Sequence, residues 1–298
     1  MADIATGVAP DVAPDEPTDV PTDIATPVVS PFNRKMKVWP ALGLTLIENF
    51  ITVDEEKAMI AAFELPDDAP PKKRLSKHFG YHFDYTTFGA SETTLTPVPE
   101  YIQTLLHRLP IQMNLPDQFT VQYYPPGAGI PPHVDTHSMF EEALYSLSYG
   151  SAVPMMFKKA GKNEARKLRL PKRSLGGEAT GGETAAGEAA AGDAVKEDEE
   201  EEEGKNNPVI EVLLPPRSLL VMMGASRYGY VHGIRSRKTD VIRRRTVPRT
   251  GRYSITMRTV RRGDEIRCDC YYPGVCDARV REEEAERQRE KERTDNGE

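Results

Sequence analysis

Short apolar runs separated by turn residues dominate this chain, and only two stretches carry a helical period. Leu44 to Ile47 reads as a strand. Thr52-Val53-Asp54-Glu55 then forms a capping box, predicting a helix through Phe63. Lys72 to Phe88 is basic and aromatic, with Arg74, His78, Phe79, Tyr81, His82, Phe83 and Tyr85, and reads as strand and loop. Tyr101, Leu105, Leu106 and Leu109 recur at helical spacing and predict a second amphipathic helix ending at Pro110. From there the pattern changes to short strands: Phe119 to Tyr124, a His-Val-Asp strand over 133–135, Leu144 to Leu147, Met155 to Phe157, Val209 to Leu214, Leu219 to Met223 and Tyr253 to Val260. Two helices followed by many short strands predict an α+β, mainly β fold. The architecture expected is a double-stranded β-helix, or jelly roll, with N-terminal helices packed on one sheet.

Composition divides the chain. Residues 1–35 form an acidic, Pro-rich tail without periodicity, and 158–207 is first basic, then Gly/Ala/Glu-rich. Neither can bury enough apolar surface to fold, so both are expected to be disordered, the second as an insertion between two strands. One domain over 36–280 remains, followed by a charged, solvated tail over 281–298. The net charge of −7 hides a segregation: residues 1–32 contribute −6 and 175–205 contribute −9, which leaves the rest at +8. A basic body suits a polyanionic partner, all the more because Arg235, Arg237, Lys238, Arg243, Arg244 and Arg245 cluster in one stretch. The best membrane candidate, Val209 to Met223, is broken by Pro215, Pro216 and Arg217. No basic-then-apolar leader opens the sequence, so a soluble protein of the cytoplasm or nucleus is expected, with no membrane partner, working as a monomer.

The chemistry concentrates around Pro131-Pro132-His133-Val134-Asp135-Thr136-His137. Two imidazoles and a carboxylate make a facial triad for non-haem Fe(II), with three positions open for co-substrate and O₂. His133 and Asp135 share one strand face at i and i+2, and His232 can supply the second imidazole. A bare His-x-Asp is common, and a lone histidine is more often a hydrogen-bonded core residue. Two arginines downstream reverse that preference. In Arg252-Tyr253-Ser254-Ile255-Thr256-Met257-Arg258, the polar residues share one face and the apolar ones the other. A polar face inside a barrel is costly unless it binds something. Arg252 and Arg258 stand ~20 Å apart on a strand. Leaning inward, they can grip the two ends of a short dicarboxylate such as 2-oxoglutarate.

With these residues in place, Gln122-x-Tyr124, His133-x-Asp135, His232 and Arg252-x-Ser-x-Thr-x-Arg258 resemble the AlkB family of Fe(II)/2-oxoglutarate dioxygenases, over about residues 38–279 without the insertion. The resemblance implies that His133, Asp135 and His232 hold iron, that Arg252 and Tyr124 hold the distal carboxylate of 2-oxoglutarate, and that Arg258 and Gln122 hold the end nearer the metal. The family usually carries Asn where this chain has Gln122, and Asn where it has Ser254.

All three cysteines lie in Cys268-Asp269-Cys270-Tyr271-Tyr272-Pro273-Gly274-Val275-Cys276. An odd, tight cluster in an intracellular chain argues for metal rather than disulfide. A tetrahedral zinc needs a fourth ligand, for which His78, His82, His107 and His137 are candidates, His107 facing solvent on its helix. Taken with the segment through His137 and Ser138, Arg217-Ser-Leu-Leu-Val, Ser226-Arg227-Tyr228 and His232-Gly-Ile, the cysteines resemble the tRNA wobble-uridine branch of the same family. That branch implies a structural zinc held by His137, Cys268, Cys270 and Cys276.

Three functions compete. The branch implies an RNA-modifying oxygenase that hydroxylates the methoxycarbonylmethyl group of a wobble uridine in tRNA, a base already unpaired in its loop. The Arg235–Arg249 stretch and the Lys72–Tyr85 segment would hold tRNA or another nucleic acid by its phosphates. Oxidative demethylation of N-alkylated DNA or RNA bases is the second reading, disfavoured by the cysteines. A non-catalytic tRNA-binding adaptor is the third, disfavoured by the complete triad and both arginines. The animal member of the branch joins an RNA-recognition domain and a methyltransferase domain to its oxygenase. This chain is expected to carry the oxygenase domain alone, which calls either for a separate tRNA methyltransferase to make the precursor or for a different substrate.

Overall fold

Two antiparallel sheets face each other, and their shared interior is apolar at one end and polar at the other. The computed structural model describes residues 26–29, 35–66, 71–84, 89–161, 208–261 and 268–295. The larger sheet has nine strands. In spatial order they are β1 (Val28–Val29), β2 (Met36–Trp39), β3 (Leu44–Ile47), β11 (Ser218–Met222), β8 (Leu144–Gly150), β15 (Arg252–Arg258), β6 (Gln118–Tyr124), β4 (Leu75–Asp84) and β5 (Gly89–Thr96). The smaller sheet runs β10 (Ile210–Leu214), β9 (Val153–Lys159), β12 (Tyr230–Ile234) and β7 (Ile130–His133). A separate ribbon pairs β13 (Thr239–Ile242) with β14 (Arg245–Pro248). The architecture is the expected jelly roll, mainly β with few helices.

Period-two alternation builds both faces of the large sheet. Phe119, Val121 and Tyr123 of β6, Tyr145, Leu147 and Tyr149 of β8, and Tyr253, Ile255 and Met257 of β15 point outward. There they pack under two helices, α1 (Val53–Ala62) and α2 (Glu100–Leu106), through Met59, Phe63, Ile102 and Leu105. Each such side chain, fully buried, contributes about 1.5–3 kcal/mol relative to exposure. The capping box forms as the sequence predicts: Thr52 Oγ1 accepts from Glu55 N at 3.1 Å and Glu55 Oε2 accepts from Thr52 N at 2.6 Å. Helix α2 stops at Leu106, four residues before Pro110, where the Gln112 side chain donates to the carbonyls of Leu106 and, beyond the helix, Leu109.

The inner face divides along the sheet. Leu44, Leu46, Leu220 and Met222 meet Met155, Phe157, Val212 and Leu214 of the smaller sheet in an apolar core. A short helix, α3 (Gly224–Tyr228), links β11 to β12. Toward β15 the inward positions become polar, in rows set by register: Tyr124 beside Arg252, Gln122 beside Ser254 beside Ser148, Thr120 beside Thr256 beside Ser146, and Gln118 beside Arg258.

Several expected boundaries move. Strand β9 continues through Lys159, which pairs with Tyr230, so the sheet extends two residues into the expected insertion, and 162–207 lie outside the described residues. Val28 and Val29, within the expected N-terminal tail, pair with Val38 and Lys37, while 1–25 and 30–34 are outside the described residues. The C-terminal helix α4 (Asp277–Asp295) starts four residues before the expected charged tail, and Asp277, Ala278 and Val280 are buried. Beyond that first turn it is solvent-exposed, as its composition predicts.

Candidate active site and cysteine cluster

The cage forms where β7 and β12 lie side by side. His133 and His232 are direct cross-strand partners, with ring centroids 4.4 Å apart. The register slips between His232 and Ile234, and such a bulge re-aims a side chain next to a site. Gly233 permits the close approach: a Cβ there would meet the Ile130 carbonyl oxygen at 2.8 Å and Pro132 N at 3.0 Å. Asp135 completes the group from beyond the strand. The predicted His-Val-Asp strand ends at His133, because Arg227 takes the carbonyls of Asp135 (2.7 Å) and Thr136 (2.9 Å) that would have continued the ladder. The carboxylate still reaches the imidazoles, with Asp135 Oδ2 3.5 Å from His232 Nε2. One ligand atom from each of His133, Asp135 and His232 falls within 4.8 Å of the others.

The donor chemistry suits a divalent cation. His133 Nδ1 lies 3.0 Å from the Pro131 carbonyl; a carbonyl only accepts, so this nitrogen carries the proton and the Nε2 lone pair is free. Burial pushes His232 down to about 3, with a contribution from His133 that outweighs the opposite pull of Asp135. It is therefore neutral and able to ligate. Burial would raise the Asp135 carboxyl, but the Arg258 guanidinium, with His232, His133 and Arg227, holds it well below the usual carboxylate range. Arg258 Nε and Nη2 both lie 2.8 Å from Asp135 Oδ1, leaving Oδ2 for the cage.

Arg258 also donates to Gln118 Oε1 at 3.1 Å and to Thr120 Oγ1 at 3.4 Å. The family resemblance assigns Gln122 and Arg258 to the same end of 2-oxoglutarate, the one nearer the metal. In the structure Gln122 stands two rows away from Arg258, opposite Ser254, where Tyr124 donates to its Oε1 and its Nε2 reaches Ser76 Oγ at 3.3 Å. Gln118, which the sequence reading did not single out, is the glutamine in contact with Arg258. Its relation to Arg258 is a cross-strand register, which no local pattern shows.

Arg252 is 3% exposed. Its Nε donates to Ser148 Oγ at 3.1 Å, its guanidinium carbon lies 5.0 Å from the centroid of the Tyr124 ring, and its Nη1 is buried without a hydrogen-bond partner. Burial pulls its pKa down, only partly opposed by Tyr124. A buried guanidinium with a free donor and, among the described residues, no carboxylate against it fits an anionic ligand. A small cavity lies there, lined by Tyr124, Val153, Ile234, Arg249 and Arg252 among others.

The second cluster lies at the other end of the 133–137 segment. His137, Cys268, Cys270 and Cys276 are all buried, with one ligand atom each within 4.8 Å of the others. His137 Nδ1 is 3.3 Å from Cys270 Sγ, and its Nε2 is buried without a partner. Hydrogen bonds from Cys270 and Cys276 pull the Cys268 thiol strongly down, and those with Cys268 and Cys270 push Cys276 up. Of the other candidate fourth ligands, His107 is exposed beyond α2, His78 Nδ1 lies 3.3 Å from Thr120 Oγ1, and the His82 side chain is outside the described residues.

The basic stretch takes a definite form. Arg243 and Arg244 turn the β13–β14 ribbon at positive φ (49° and 64°), and Arg235, Lys238, Arg243, Arg244 and Arg245 are exposed. Asp240 holds the ribbon's base through Arg249 Nε (2.5 Å) and Arg237 Nε (2.5 Å). In the other basic segment Lys72, Lys73 and Arg74 are exposed, and Tyr85 lies outside the described residues.

An imidazole pair and one carboxylate at the polar end of a jelly roll, with arginines deeper in, define the class of non-haem iron oxygenases. The 2OG-Fe(II) oxygenase superfamily matches residues 43–258, and the chain belongs to that family. It is accordingly an oxidoreductase, a dioxygenase dependent on Fe(II) and 2-oxoglutarate. Within the family its similarity is to AlkB-type proteins. It is 31% identical over 268 residues to the tRNA (carboxymethyluridine(34)-5-O)-methyltransferase alkbh8 of Xenopus tropicalis, covering 81% of this chain and 35% of that protein. The Mus musculus protein of that name, ALKBH8, is 32% identical over 79% of this chain and 32% of its own length. An Arabidopsis thaliana relative, named alkylated DNA repair protein ALKBH8 homolog, is 31% identical over 79% of this chain and 62% of its own. The chain thus spans about a third of the two animal relatives.

Proposed function

We propose that this enzyme hydroxylates a modified wobble uridine of tRNA, 5-methoxycarbonylmethyluridine, with iron at His133, Asp135 and His232 and a structural zinc at His137, Cys268, Cys270 and Cys276. The observation that carries the substrate class is the closed cysteine cluster built onto the iron segment. Names of the animal relatives, which refer to carboxymethyluridine at position 34 of tRNA, support it. Bound Fe(II) and 2-oxoglutarate together supply an O₂-derived oxidant: one oxygen atom goes into an unactivated C–H bond and the other into succinate, with release of CO₂.

The chain's own residues prepare that step. Arg252 and Tyr124 receive the distal carboxylate of 2-oxoglutarate at the buried end, where Arg252 Nη1 is free to donate. Arg258 occupies one oxygen of Asp135 and so orients the other toward the cage. His133, half-buried at the end of β7, marks the side from which a base can enter. A wobble base is unpaired, so little is spent on extruding it. The arginine-tipped ribbon and the exposed Lys72–Arg74 segment hold the phosphates of the anticodon stem. The enzyme works on this reading as a monomer in the cytoplasm or nucleus, on an ester that a methyltransferase has prepared.

The test is mass spectrometry of tRNA nucleosides after incubation with Fe(II), 2-oxoglutarate and O₂. Gain of one oxygen on the modified wobble uridine is expected. Loss of a methyl group from an N-alkylated base would instead establish a demethylase, and 2-oxoglutarate turnover with neither change would place the substrate outside RNA bases.

A further inference from the structure

The segment from Asp135 to Phe140 joins the two clusters, and it is mostly buried without regular structure. A buried irregular segment has to satisfy its backbone groups through side chains. Two residues of opposite charge divide this task. Arg227, 1% exposed and part of α3, donates to the carbonyls of Asp135 (2.7 Å), Thr136 (2.9 Å) and Phe140 (3.3 Å). Asp277, 2% exposed and next to Cys276, accepts from the amides of His137 (2.9 Å) and Ser138 (3.1 Å) on Oδ1 and from the Ser138 hydroxyl on Oδ2. One side chain therefore serves the carbonyls, the other the amides, and Asp135 stands at the start of the clamped segment, two residues before His137, with its own carbonyl held by Arg227.

We propose that Asp277 is a positioning residue for the iron site: it carries the placement of the cysteine segment through His137 and Ser138 to the backbone of Asp135, with Arg227 as the opposing jaw. Asp135 has no strand to fix it, since β7 ends two residues earlier. Its carboxylate orientation depends on this clamp and on Arg258. The proposal rests on the reading that His133, Asp135 and His232 hold the iron. Residues that orient metal ligands from behind typically change metal affinity by about ten- to hundredfold when altered.

Mn(II) binding to the full chain, followed by loss of the free-ion paramagnetic resonance signal, reports the His/carboxylate cage, because thiolate sites disfavour this hard ion. Asp277→Asn keeps the size and one acceptor, whereas Asp277→Ala removes both. Arg227→Lys keeps the charge but loses the planar fork. The expected result is Mn(II) affinity weakened about tenfold or more in Asp277→Asn, further in Asp277→Ala and comparably in Arg227→Lys, with zinc content retained in Asp277→Asn. Unchanged Mn(II) affinity in folded Asp277→Asn would overturn the proposal, even alongside a lowered melting temperature, since Asp277 would then only secure the C-terminal segment. A wild-type chain that binds Mn(II) no better than His133→Ala would overturn the iron-site reading itself, and the clamp with it.

Discussion

The two clusters share one stretch of chain and differ in nearly everything else. The His133, Asp135 and His232 cage takes its two imidazoles from adjacent strands, is half-buried on the His133 side, and is backed by a row of polar groups ending in two arginines. The cluster of His137 with the three cysteines is buried on every member and lies where no regular element runs. Open positions and polar backing suit a site that must exchange ligands. Four buried donors suit a site that, once filled, only holds. Strands supply precision where geometry must survive turnover, while a metal can replace secondary structure where the chain is irregular.

The comparison breaks first at the cage. His133→Ala or Asp135→Ala is expected to reduce 2-oxoglutarate turnover to background, measured as succinate release; persisting turnover would remove the assignment of these residues to iron. At the other cluster, Cys276→Ser is expected to lose bound zinc and lower the melting temperature by several degrees, at about 2–4 °C per kcal/mol for a domain of this size. A wild-type protein without zinc, melting like the variant, would make the two clusters functionally unrelated. Arg252→Lys sharpens the difference from within the polar row. It keeps the charge but loses the fork, and KM for 2-oxoglutarate is expected to rise about ten- to hundredfold with zinc content unchanged.

The ribbon provides a third region, dependent on neither cluster. Replacing Arg243, Arg244 and Arg245 by Ala is expected to weaken tRNA binding and flatten its salt dependence, by roughly one unit of slope for each phosphate no longer neutralised, without altering metal content. The smallest effect concerns the ribbon's base. Burial raises the Asp240 carboxyl, but its hydrogen bonds to Arg249 and Arg237 hold it below the usual carboxylate range. A depressed folded pKa stabilises above the unfolded value of about 3.9 and loses that contribution as pH falls through the folded value. Amide protection in 239–248 is therefore expected to stay constant from neutral to mildly acidic pH and to decline only below about pH 4. Asp240→Asn, already deprived of this contribution, is expected to show weaker protection throughout.

What could be read in advance was what local periodicity records. The Thr52/Glu55 capping box and the alternation along Arg252 to Arg258 each involve neighbours a few residues apart, and both reappear in the structure. The polar inner face followed from that alternation. Gln118 escaped because its link to Arg258 crosses from β6 to β15, and Asp277 because it meets Ser138 across 139 residues. Asp135 shows a further limit. The i, i+2 rule placed it on a strand, but Arg227 competes for the carbonyls that a strand would use. The three residues still converge, since a short irregular link can bring a carboxylate to the same point.

Phe157 pairs with Ile210 and Met156 with Glu211, so the chain leaves and re-enters the small sheet at adjacent positions, whatever connects them. For any connection between two fixed ends, lengthening a flexible loop costs only ~0.6 kcal/mol per doubling. The barrel can therefore accept new sequence between Gly161 and Pro208 without rebuilding its catalytic end. In evolutionary terms this junction is a port, a place to acquire binding partners or control elements. For an engineer it is where a fluorescent reporter or an affinity tag can be spliced into a working enzyme.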